Sequence, residues 1–258
     1  DVQEPPPPTA GMELSAATWP EIRDCDSDLA VVPVGSTEQH GPHAPLGTDT
    51  HTATAVADAG VETYREQTGE DVPIAPAIPV GVAAEHRAFD GTLWVSPETF
   101  RAYVRETVAS LASHGFDRVV IVNGHGGNTD ALRELTGTIS REDAAYAVAF
   151  TWFDSIDTDA EMGHGGAVET SLISHLDRKA IREDELGAAS EGANGGWGEW
   201  VAGVNLAHDS DEFTDNGVVG DPTAATAELG ERLLTRSGDA LAELLTAVDS
   251  RDRGEKAD

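Results

Sequence analysis

Apolar and polar positions fall in blocks along this chain, and the period of the pattern changes from block to block. Leu29–Val34 is a short continuous apolar run, as a strand buried on both faces requires. A Gly/Pro-rich loop follows to Gly47, and Asp49–Gln67 then takes helical spacing with Asp49 or Thr50 near its N-cap. Val72–Ile78 reads as extended and is punctuated by proline. Ser96-Pro97-Glu98 opens a helix, with Ser as cap and Pro at the first helical position, and Gly115 closes it. Arg118–Asn123 reads as a strand, Asn128–Arg141 as a helix and Ala145–Thr151 as a strand. Val168–Leu176 and Asp221–Val248 read as helices, the last opened by Asp221-Pro222. Strands alternating with helices predict βαβ units, hence an α/β fold with a mainly parallel sheet and helices on both faces. Ligands of such folds bind in the loops beyond the carboxyl ends of the strands.

Size and charge narrow the picture. The 258 residues, 39% of them hydrophobic, suit one large domain over residues 12–254. Residues 1–11, with Pro5–Pro8, read as a disordered extension or expression remnant, and residues 255–258 as a polar tail. Asp and Glu number 47 against 16 Lys and Arg, for a net charge of −31, and Lys occurs only at Lys179 and Lys256. Acidic residues spread over the whole chain resemble the surface of a protein from a salt-in halophile, where a short Debye length relaxes self-repulsion. Nucleic acid is excluded as a partner because no basic patch is present. No apolar run is long enough to span a membrane. The single Cys25 leaves no intrachain disulfide and fits a reducing, cytoplasmic setting.

Three polar clusters stand where ligands of such folds bind. Gly35–His43 with Asp49 follows the first strand, and Glu38 and His40, two apart, share a face of an extended segment. Two carboxylates and an imidazole converging there can hold a divalent metal, or the loop can merely satisfy its own backbone. Asn123–Asn128 follows the second strong strand and presents His125 among glycines; it lacks the Gly-Lys-Ser/Thr of a phosphate-binding loop. Gly163–Ser171 places His164 in a loop and Glu169 at a helix start, where the dipole favours a carboxylate. Gly195–Trp200 is either a cover for the pocket or a surface loop with packed indoles.

These clusters, together with Glu85–Thr92 and Gly217–Thr223, resemble the creatininase family of metal-dependent amidohydrolases, in order from about Val31 to Thr226. The resemblance implies a three-layer α/β/α fold, a hexameric homo-oligomer and a centre of two divalent metal ions (Zn, Mn or Fe). It implies that Glu38 and His40 each bind one metal, that Asp49 bridges both and that His125 adds a ligand. His164 would be the proton-transferring catalytic residue, and Glu169 either a metal ligand or a catalytic carboxylate just behind the ligands. The substrate would be a small-molecule or short-peptide amide. Creatinine hydrolases resemble Gly-His-x-Glu-Asn at the second loop, whereas Gly127 stands here in place of that carboxylate. The motif set is most similar to the mycofactocin precursor peptidase branch, with creatinine amidohydrolase or formamido-pyrimidine deformylase as alternatives. A metal-holding scaffold subunit without turnover is the remaining alternative.

Overall fold

The computed structural model describes residues 12–251 apart from 157, 159 and 161; the extension and polar tail read above lie outside the described residues. In chain order the elements are β1 (Met12–Glu13), α1 (Trp19–Arg23), β2 (Leu29–Val34), α2 (Thr48–Thr68), β3 (Pro73–Ile74), α3 (Pro97–Ser113) and β4 (Arg118–Asn123). There follow α4 (Thr129–Glu142), β5 (Tyr146–Thr151), α5 (Ala167–Leu176), α6 (Leu186–Glu191), β6 (Trp200–Val201), β7 (Val204–Asn205) and α7 (Ala227–Asp249).

The five-stranded sheet has the order β1-β3-β2-β4-β5, and every neighbouring pair is parallel. Successive side chains on a strand point to opposite faces, and both faces here are covered. Leu29, Val31, Val120 and Val122 pack with α2, α5 and α7, while Ala30, Val32, Val34, Val119 and Ile121 pack with α3 and α4. That explains why β2 is apolar throughout instead of alternating. Each fully buried Val, Leu or Ile contributes about 1.5–3 kcal/mol, so the two cores fix the strands firmly. The pairing runs from Leu29 opposite Arg118 to Val34 opposite Asn123, and Asn123 in turn lies opposite Thr151. Three strands therefore end at one edge, and the loops that leave them start side by side.

Local differences from the sequence pattern have local causes. Helix α2 starts at Thr48 with Gly47 as its cap, and Asp49 is buried in the first turn instead of capping the backbone. The final helix is two pieces. Asp221 accepts a hydrogen bond from the Thr223 N–H at 2.9 Å and caps a 3-10 turn, Pro222–Ala224. Ala225 is then extended (ψ 141°), and Thr226 accepts from the Leu229 N–H to start α7. Of Val72–Ile78 only Pro73–Ile74 pairs as a strand, because Pro76 and Pro79 beyond it have no N–H to donate. Ile78 rejoins the sheet by a single bridge to Val34.

Candidate metal centre

The strand ends bring all the singled-out side chains together. Glu38 and His40 lie in the loop after β2, Asp49 in the first turn of α2, and His125 directly after β4. His164 precedes α5 and Glu169 lies in its first turn; all six are buried. His125, presented among glycines, is an interior residue. The loops are braced by polar contacts. Asn128 accepts from the Val82 N–H at 2.9 Å and donates to the Gly35 carbonyl at 3.1 Å. His164 and Val219 exchange paired backbone hydrogen bonds of 3.0 and 2.8 Å. Gly165 adopts φ 60°, and a Cβ there would come within 2.9 Å of the His40 carbonyl, so only glycine fits. Its N–H donates to Glu169 Oε2 at 2.6 Å, which orients that carboxylate.

Three groupings of ligand-type atoms result, Glu38–Asp49–His125, His40–Asp49–Glu169 and Glu38–His40–His164, each with its atoms within 4.8 Å of one another. Asp49 belongs to the first two, and Glu38 and His40 link them to His164. The imidazole tautomers follow from the backbone groups they meet. His125 Nε2 lies 2.7 Å from the Val82 carbonyl, which can only accept, so Nε2 carries the proton. Its Nδ1 lone pair then faces Glu38 Oε1 at 3.0 Å and Asp49 Oδ2 at 3.2 Å. His40 likewise donates from Nδ1 to the Glu38 carbonyl at 3.1 Å, leaving the Nε2 lone pair toward Asp49 Oδ1 at 3.0 Å and Glu169 Oε2 at 3.8 Å. His164 donates from Nε2 to the Gln39 carbonyl at 2.5 Å and aims Nδ1 at Glu38 Oε1, 3.7 Å away.

Lone pairs aimed at carboxylates repel unless a cation lies between them, and a ring N–H tied to a carbonyl is the usual companion of a metal-binding imidazole. Both Glu38 oxygens and Asp49 Oδ2 are buried without a hydrogen-bond partner; the contacts to His125 are close but poorly directed. Three buried carboxylates are costly without neutralisation. The donor set therefore fits one or two divalent cations bound through N and O. Protons are the substitute when no cation is there. Burial pushes the His40 imidazole down, but Asp49 and Glu169 outweigh it and raise it to about 10. For His125 the carboxylates of Glu38 and Asp49 overcome burial in the same way and raise it well above its ordinary value. Burial, offset in part by His40, lifts the Glu169 carboxyl to about 7. Burial, with the neighbouring His86 and His40, holds the His164 imidazole well below its ordinary value of 6.5.

A cavity of about 310 Å³ opens onto these groups. His86, His125, His164 and Glu169 line it on one side; Phe153, Met162, Trp197 and Glu85 complete it. Trp197 thereby places the Gly195–Trp200 segment at the pocket, its ring centroid 5.9 Å from that of His164. Gly127 has no room for a side chain: a Cβ would stand 2.2 Å from the Val82 carbonyl and 2.5 Å from His125 Nε2. Glu169, from the first turn of α5, is the third buried carboxylate beside Glu38 and Asp49. Sequence reasoning passed over the role of His86, which stacks on His164 at 4.2 Å, and of Gln39 beside it. Their signal was adjacency alone, Gln39 between Glu38 and His40 and His86 after Glu85.

Comparison with known proteins agrees with this architecture. Residues 15–245 match the family model described as Creatininase, creatinine amidohydrolase. A mycofactocin precursor peptide peptidase of Mycolicibacterium smegmatis is 36% identical over 207 residues, 80% of this chain and 79% of that one. A creatinine amidohydrolase of Pseudomonas putida is 27% identical over 62% of this chain and 69% of its own length. The crystal structure of a creatininase superposes with a TM-score of 0.77 at 22% identity, covering 94% of this chain and 99% of that one. Related creatininase structures include a Zn-Zn form and a Mn form. With a matching family model over most of its length and a relative of this identity, the chain belongs to the creatininase family.

Proposed function

We propose that the protein is a metal-dependent hydrolase of an amide C–N bond whose substrate is a short modified peptide, of the kind its mycofactocin precursor peptidase relatives are named for. The observation that carries this reading is the set of buried ligand-type groupings, two of them sharing Asp49, beside His164, whose Nε2 is tied to the Gln39 carbonyl. Glu38 with His125 would hold one metal, His40 with Glu169 the other, and Asp49 both. When bound, such a pair polarises the amide carbonyl and makes water nucleophilic at neutral pH. His164 takes up a proton at Nδ1 and returns it to the departing nitrogen, its ring held by the Gln39 carbonyl. Phe153, Met162 and Trp197 shield the reacting bond from bulk water and accept apolar substrate groups. The crowded Gly127 favours a peptide over creatinine, since the resemblance expects creatinine hydrolases to carry a carboxylate there.

The metals in this reading are Zn, Mn or Fe, and the protein works as a hexameric homo-oligomer in a high-salt cytoplasm. The acidic surface of net charge −31 supports the last point. The test is to strip metal from the protein in high salt, reload it with each ion, and compare cleavage of a precursor-type peptide with hydrolysis of creatinine and of a formamido-pyrimidine. Metal-restored peptide cleavage is expected. Full activity after stripping would overturn the metal reading, faster turnover of either small amide the substrate reading, and no turnover with any ion would leave the scaffold alternative.

A further inference from the structure

Four imidazoles cluster at the centre, and one has the opposite polarity. His40, His125 and His164 each donate to a backbone carbonyl and turn a lone pair inward. Among the described residues, the His86 ring meets no carbonyl. Its Nδ1 lies 2.9 Å from Gln39 Nε2 and 2.8 Å from Ser210 Oγ. The orientation of the Gln39 amide is fixed on both sides: Oε1 accepts from the Gly41 N–H at 2.9 Å, and Nε2 donates to the Gly217 carbonyl at 3.0 Å. An amide –NH₂ donates and cannot accept, so His86 Nδ1 must be the acceptor. The Ser210 hydroxyl can play either part and adapts. The remaining proton therefore resides on His86 Nε2, 3.6 Å from Glu38 Oε1, just beyond hydrogen-bond distance of an oxygen that has no hydrogen-bond partner among the described residues.

We infer that His86 is a positioning residue, locked by Gln39 as the Nε2–H tautomer, whose proton is directed at Glu38 and holds that carboxylate in its metal-binding orientation. Gln39 thus serves two rings from one position: its side chain sets His86 and its carbonyl sets His164. In this arrangement His86 faces Glu38 with an N–H that closes on the carboxylate by a shift of a few tenths of an ångström, and it is not itself a ligand, although it lies among the ligand-type side chains. Its stacking on His164 at 4.2 Å fits this division, since one ring presents a proton and the other a lone pair.

The inference rests on the metal reading only through Glu38, and its first test does not need metal at all. Long-range ¹H–¹⁵N spectra of the full chain labelled at histidine report which ring nitrogen bears the proton. His86 is expected with protonated Nε2 and bare Nδ1; a protonated Nδ1 would overturn the inference whether or not metal binds. In Gln39→Glu a carboxylate replaces the donor, and His86 Nδ1 should become protonated while His164 keeps its tautomer; an unchanged His86 would show that Gln39 is not the lock. Zinc titration then tests the effect on Glu38. His86→Phe keeps the stack but loses the donor and should weaken zinc binding roughly 10–100-fold, as the loss of such supporting partners does. His86→Gln, which can offer an N–H near the Nε2 position, should recover much of it. Unchanged zinc affinity in a folded His86→Phe variant would refute the positioning role. Failure of the wild type to bind zinc, manganese or iron would instead refute the metal reading, and with it the part assigned to Glu38.

Discussion

Gly127→Ala is the sharpest probe of why the centre takes its third carboxylate from α5. The added Cβ would lie 2.2 Å from the Val82 carbonyl oxygen, 2.5 Å from His125 Nε2 and 2.7 Å from Glu85 Oε1. Ordinary contact begins near 3.4 Å, so the backbone at Val82 would have to retreat by roughly an ångström. Glu85 can swing away because it is a long side chain at the pocket wall. Val82 cannot yield so cheaply. Its N–H is held by Asn128 and its carbonyl fixes the tautomer of His125. Overpacking of this kind costs about 1–3 kcal/mol. For a chain of this size that is a fall in melting temperature on the order of 2–12 °C. Moving Val82 also frees the His125 ring, so zinc affinity should drop with stability. Differential scanning calorimetry and competitive zinc titration in high salt measure the two effects. A Gly127→Ala variant that melts and binds zinc like the wild type would refute the steric reasoning. Wild-type behaviour of Gly127→Glu would go further and leave no reason for Glu169 to serve as the substitute ligand.

Other outcomes follow from the same geometry. Asp49→Asn should lose metal from both ligand sets that contain it and abolish activity, read by elemental analysis; retention of both ions would remove Asp49 from the bridging position. His164→Ala should keep its metal and lower kcat by roughly two to four powers of ten, whereas a normal kcat with a raised KM would make it a pocket residue only. Without metal, His40 is raised from 6.5 to about 10 and Glu169 from 4.5 to about 7. The protonated His40 contributes stability that is complete below pH 6.5 and lost as pH rises through about 10, and ionising the buried Glu169 costs stability between about 4.5 and 7. His43, His86 and His164, held below 6.5, add stability as pH rises to 7 and oppose Glu169 there. Chelator-treated protein should therefore melt lower as pH rises from 7 to 10, while zinc-loaded protein should be much less affected; equal slopes would contradict proton–metal competition. The melting temperature should climb with potassium chloride concentration because the net charge is −31, and a flat or falling response would reject the halophilic reading.

What the sequence made legible, and what it hid, divide along physical lines. β2 and β4 were readable to the residue because burial on both faces demands continuous apolar runs, and such runs end abruptly where the loops begin. The ligand-type residues were readable because the parallel register carries consecutive strand ends to one edge, so polar residues just past those ends had to meet. The split of α7 was hidden because Asp221 and Thr226 are both good caps, and only packing decides which one starts the long helix. Helix α1 and the β6–β7 hairpin are too short to leave a period in the sequence. His86 was hidden for a deeper reason. Its residue type is that of a ligand, and only the amide of Gln39, held by Gly41 and Gly217, turns it into a donor. One of those partners lies 178 positions away in the chain. A hydrogen-bond polarity set over such a separation has no local signature, so residue type and spacing find the ligand-type side chains but not the groups packed behind them.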